Sequence, residues 1–152
     1  MSALNLILVP LLARVCLVLM FPFSAYDKIA HWNEAMAQAR TTPIFGNPAM
    51  LIAAIIVELV TPICIVIGWH DRLAAFILAG FCVVTALLYH QFWRFPGFWR
   101  EDGAGRSHFW DFLKNFGLVG GLVLIVIGGS AVPASFVLTH PLSAAPYAAA
   151  RP

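Results

Sequence analysis

The chain has 152 residues, 61% of them hydrophobic and 11% charged, with a mean hydropathy of +0.86 and a formal net charge of +2. A soluble domain carries about 25% charged residues, so this composition excludes a water-soluble globular domain and points to a membrane protein. The small net charge, without a basic stripe interleaved with aromatics, excludes nucleic-acid binding.

Three cysteines, Cys16, Cys64 and Cys82, lie in apolar runs. Their odd number and the lack of a C-x-x-C pair leave no disulfide framework or zinc site, so buried structural thiols are expected. The start of the chain has no Lys or Arg among its first three residues, and Arg14 interrupts the apolar run that follows. A cleaved signal peptide needs the opposite arrangement, so this segment is expected to remain as the first membrane helix.

A bilayer core takes about 20 apolar residues in helical form. Four stretches satisfy that length: residues 4–26, 48–69, 73–93 and 110–129. The fold class predicted is all-α, a polytopic four-helix membrane bundle over residues 1–130, followed by an Ala- and Pro-rich tail, 131–152. Asn47 and Pro48 read as N-cap and first position of the second helix, and Gly68 to Asp71 as a tight turn into the third. Between the first two helices, Ile29, Trp32 and Met36 recur at helical spacing, predicting a short interfacial helix. Trp32, Trp69, Trp93, Trp99 and Trp110 fall near helix ends, where amphipathic rings favour the headgroup level.

Basic residues near helix ends set orientation. Lys28, Arg40, Arg94, Arg100, Arg106 and Lys114 share the side of the two long connections, against Arg72 and Arg151 on the other. Both termini are therefore expected on the periplasmic side of a bacterial inner membrane.

Counting from the expected helix starts, Arg14 and Glu58 each lie ~15 Å deep. An isolated charge there costs from about 2.5 to more than 10 kcal/mol, so an intramembrane ion pair between Arg14 and Glu58 is predicted. Such a pair serves equally as a structural lock on helix register or as a ligand- or proton-handling site. Pro62 removes the amide that would bond the Glu58 carbonyl. A second polar layer converges nearer the cytoplasmic side: Lys28, His90, Lys114 and Asn115, with Asp27 and Asp111 close by. Each terminal cation alone reads as a snorkelling anchor, and a lone interfacial His as a hydrogen-bonded structural residue. Together they read as a cationic, donor-rich pocket suited to a quinone carbonyl, a carboxylate or a lipid headgroup. Gly117 and Gly121 form a G-x-x-x-G pattern, a helix-packing face within the chain or toward a partner. No metal-ligand spacing, phosphate loop or serine elbow occurs, and no residue is assigned a catalytic role.

These residues in combination resemble the DoxX family of small bacterial membrane proteins. The matching features are Arg14 with the exit Ser24-Ala25-Tyr26-Asp27-Lys28-Ile29, and Val57-Glu58-Leu59 ahead of Gly68. They continue with Arg72, Tyr89-His90-Gln91-Phe92-Trp93, and Phe112-Leu113-Lys114-Asn115 leading to Gly120-Gly121. The usual glycine before the Lys of the first exit is replaced here by Ala25 or Tyr26. The resemblance implies a four-helix membrane fold and an association with respiratory or redox systems.

Three functions follow as expectations. The first is an accessory, non-catalytic subunit of a quinone-linked or respiratory redox complex, lining a quinone or lipid pocket with no covalent cofactor. The others are a stand-alone quinone-binding oxidoreductase and a small transporter or proton pathway. Partners expected are membrane lipid and a larger membrane complex or a second copy of the chain.

Overall fold

The computed structural model describes residues 7–42, 46–99 and 103–127. Among these residues every regular element is helical: α1 (Val9–Val18), α2 (Met20–Ala30), α3 (Trp32–Ala39), α4 (Pro48–Ile67), α5 (Asp71–Tyr89), a 3₁₀ turn (Phe92–Arg94) and α6 (Ala104–Val126). Four spans are long and apolar enough to cross a bilayer: Val9–Ala30, Pro48–Ile67, Asp71–Arg94 and Ala104–Val126. The protein is an all-α polytopic membrane bundle. The 131–152 tail, Arg100 and the end of the fourth predicted span lie outside the described residues.

α1 and α2 form one span. Pro22 lacks the amide that would reach the Val18 carbonyl, and the helix is interrupted at Leu19, which keeps helical dihedrals of −55° and −37°. This span continues to Ala30, beyond the expected end at Tyr26, and α6 begins at Ala104, before the expected start at Trp110. α4 starts as its sequence dictates: the Asn47 side chain accepts a hydrogen bond from the Ala49 amide at 2.9 Å, with Pro48 in the first turn. It ends at Gly68, whose φ of 77° places it in the left-handed region that favours glycine.

The short helix between the first two spans is α3. Its Met36 and Ala39 are buried, and Met36 packs with Ala25, Leu51 and Ile55 against half-buried Trp32. Ile29 belongs instead to α2 and is exposed. α3 thus folds back over the first turns of α4, beside the last turns of α2.

The main core lies between α4, α5 and α6, centred on Ile65, Leu78, Cys82 and Leu122. α5 presents Ala75, Ala79, Cys82 and Ala86 along one buried face, and such small side chains let neighbouring helices approach closely. Outward residues such as Phe23, Ile67 and Phe76 are apolar and more than half exposed. That is stable only with lipid as the solvent. Cys64 and Cys82 are buried, whereas Cys16 is exposed on the outer surface, contrary to the expectation for all three thiols.

An aromatic cluster closes the connection between α5 and α6. Phe92 lies with ring centroids 4.9 Å from Phe98, 5.1 Å from Phe109 and 5.4 Å from Phe112. Gly105 is buried beneath it, where an added Cβ would come within 2.7 Å of Phe95 and 2.9 Å of Phe98.

Candidate functional site: a polar-walled cavity within the bundle

The predicted Arg14–Glu58 pair is not formed; each residue takes a different partner. Arg14 Nη2 lies 2.7 Å from Asp71 Oδ2, and its Nη1 donates to the Ile65 carbonyl at 2.8 Å. The carbonyls of the last helical turn have no intrahelical partner and carry the negative end of the helix dipole. Arg14 therefore caps the C-terminus of α4 while Asp71 sits favourably at the N-terminus of α5. The reason for the exchange is register: Ala25 packs with Ile55, so α4 is displaced along the first span by more than a turn from the level that equal entry depths imply. Arg14 faces the turn after α4, and Glu58 faces the second half of the first span.

Glu58 is 3% exposed. Lys28 Nζ donates to both of its carboxylate oxygens at 2.9 Å, and the Ser24 hydroxyl donates to Oε1 at 3.1 Å while accepting from Lys28. Ser24 and Lys28 are one turn apart on α2, so one helix face delivers both donors. One turn along α4, the Thr61 hydroxyl is returned to the Val57 carbonyl at 2.7 Å.

This triad forms one wall of a cavity of about 540 Å³ bordered by α2, α3, α4, α5 and α6. Its other polar lining includes Asp27, Glu34, Gln38, Tyr89, His90 and Asn115, and its apolar lining includes Phe21, Val57 and Phe81. Lys28, His90 and Asn115 thus meet at one cavity. Lys114 does not: it is 73% exposed, lies 3.1 Å from Asp111, and borders an adjoining crevice that also includes His90, Asp111, Asn115, Met20 and Gly117.

The cavity is not cationic, contrary to the sequence expectation. Its ionised lining, apart from the histidines, comprises Asp27, Glu34 and Glu58 against Lys28 alone. The Lys28 charge is taken up by Glu58, and that of Lys114 by Asp111. Asp27 and Glu34 are exposed near the mouth, Asp27 within 3.0 Å of His31. Hidden helix register, not residue type, decided this balance. Glu34, Gln38 and Met20 also line the cavity; the polar face of α3 opposite Met36 and Ala39 is the sequence signal for the first two, and Met20, on α2, has none.

His90 terminates α5. Its Nδ1 is buried without a hydrogen-bond partner, the Asp111 carboxylate standing 3.9 Å away. Asn115 donates to the Asp111 carbonyl at 2.9 Å. Among the described residues no group of three or more His, Cys, Asp or Glu side chains is placed to hold a metal ion.

Of the two glycines predicted to pack, Gly121 meets α1: an added Cβ would lie 2.7 Å from Leu17 Cδ1. Nothing lies within 4 Å of the corresponding position at Gly117, which faces the crevice.

Four apolar spans and a largely apolar cavity with one polar wall define a small multi-pass membrane protein with an amphipathic interior site. The DoxX family model matches residues 9–91, more than half of the chain and all of the Lys28–Glu58 wall. The chain belongs to the DoxX family. It is also similar to the inner membrane protein YphA of Escherichia coli (strain K12), with 28% identity over 122 residues, covering 78% of this chain and 81% of that protein. No solved structure matches.

Proposed function

We propose that this protein is a non-catalytic subunit of a membrane redox complex, and that its cavity holds the head of a quinone. The observation that carries this reading is the charge balance of the lining. The buried ammonium is neutralised by Glu58 within 2.9 Å, and the remaining ionised groups at the mouth are acidic. A carboxylate or phosphate headgroup entering there would meet like charge without a free cation, a cost that low dielectric enlarges. A neutral head with carbonyl oxygens meets no such cost and finds donors in His90, Tyr89 and Asn115 on the lining. The volume lies within the range of small-molecule pockets. The family resemblance to redox-associated proteins supports the same direction.

The same mouth gives a second reading specific support. An excess of carboxylates ahead of Glu58 suits a cation or proton pathway, and loss of flux in proteoliposomes carrying Glu58→Gln would favour it.

The setting in this reading is a bacterial inner membrane, as the relative's name states for that protein, with both termini periplasmic. Affinity purification of the native protein from its own membrane, with quinone and lipid analysis of the eluate, tests the leading reading. Quinone enriched over bulk lipid, together with a co-purifying oxidoreductase, is expected. A lone chain carrying only bulk phospholipid would contradict it.

A further inference from the structure

We infer that the cavity has a lateral entrance from the acyl-chain region, between α2 and α6, through which a tailed guest enters with its tail left in lipid. This inference rests on the quinone-holding reading above.

The first observation is continuity of lining. The crevice beside α6 and the main cavity share Met20, His90 and Asn115, so the two spaces meet at these side chains. The second is the packing of the two outer spans. α1 touches α6 where Leu17 fills the space over Gly121. One turn away, nothing lies within 4 Å of where a Gly117 Cβ would stand, and Gly117 and Met20 both line the crevice. Close contact at one level and a gap at the next make an opening rather than a loosely packed seam.

The third observation is depth. Met20 falls at the middle of the span Val9–Ala30, and Gly117 close to the middle of Ala104–Val126. The opening therefore faces acyl chains, where an isoprenoid tail resides and where a charged head does not pass cheaply. At the inner end stands His90, which lines both the crevice and the main cavity and so brings an imidazole to the point where the head of the guest arrives. The charges beside the opening, Asp111 and Lys114, are paired with each other at 3.1 Å, so they present no net charge to a neutral molecule.

Filling the opening without touching the cavity wall tests the inference. Gly117→Phe should slow association of a long-tailed ubiquinone in nanodiscs by about tenfold or more, read by stopped-flow quenching of tryptophan fluorescence. Association of a tailless ubiquinone-0, small enough to use the aqueous mouth, should be unchanged. Gly120→Phe, on an exposed face off the crevice, should leave both rates as in wild type. Should Gly117→Phe not fold, Gly117→Leu fills the same gap with a smaller side chain and is read the same way. Equal long-tail rates in wild type and the filled variant would overturn the lateral entrance while leaving quinone binding intact. Failure of wild type to bind either quinone would overturn the quinone reading and the entrance with it.

Discussion

Lys28 reaches across from the first span to hold both carboxylate oxygens of Glu58 at 2.9 Å, along one side of the cavity. Both charges are tolerated because each supplies the other's counter-charge and Ser24 completes the hydrogen bonding. Removing one partner strands the other, and breaking such a buried pair costs about 3–5 kcal/mol. Glu58→Ala and Lys28→Met should each lower the thermal midpoint in detergent markedly. The double variant Lys28→Met/Glu58→Met should recover much of the loss, since replacing both charges by apolar groups removes the desolvation cost as well.

Arg14 and Asp71 form a second, separate lock at the other end of the bundle. Arg14→Ala removes an ion pair and a helix C-cap together, an effect of about 1–3 kcal/mol. The charge swap Arg14→Asp/Asp71→Arg should not restore stability. It keeps the Coulomb pair but places a cation at the N-terminus of α5 and an acceptor against the Ile65 carbonyl. Thermal unfolding of the single and swapped variants measures this, and full recovery by the swap would show that the capping contact contributes nothing.

The two pairs also mark what a sequence can and cannot yield. Four runs of apolar residues announced four spans because lipid imposes a length that the chain must meet. Asn47, Pro48 and Gly68 announced the ends of α4 because capping is local chemistry. The partners of Arg14 and Glu58 depended on how far α4 slides along the first span. That slide goes with the packing of Ala25 and Met36 on Leu51 and Ile55, a tertiary contact with no local signature. Lys28, His90 and Asn115 were legible as polar residues near one face of the membrane; the sign of the cavity was not, because it depends on which carboxylate each cation finds.

Gly117 and Gly121 share a motif but differ in surroundings, so their substitutions should diverge. Gly121→Leu drives a side chain into Leu17 and should destabilise by about 1–3 kcal/mol. Gly117→Leu meets nothing within 4 Å and should change stability by no more than about 0.5 kcal/mol. Thermal midpoints of the two variants compare them directly, and equal losses would mean that both glycines pack.

Orientation is testable by labelling. In a background lacking Cys16, Cys64 and Cys82, a cysteine replacing exposed Arg72 should react with an impermeant maleimide in intact spheroplasts. One replacing exposed Glu34 should react only after permeabilisation. The reverse pattern would invert the topology and place the cavity mouth outside the cytoplasm.

Titration of decylubiquinone against the purified protein, in wild type and His90→Ala, tests the central claim most directly. Saturable binding that weakens about tenfold on loss of one head-group donor, and that palmitate does not displace, is the expected result. No binding, or equal affinity in both proteins with displacement by palmitate, would contradict a cavity built for a neutral quinone head.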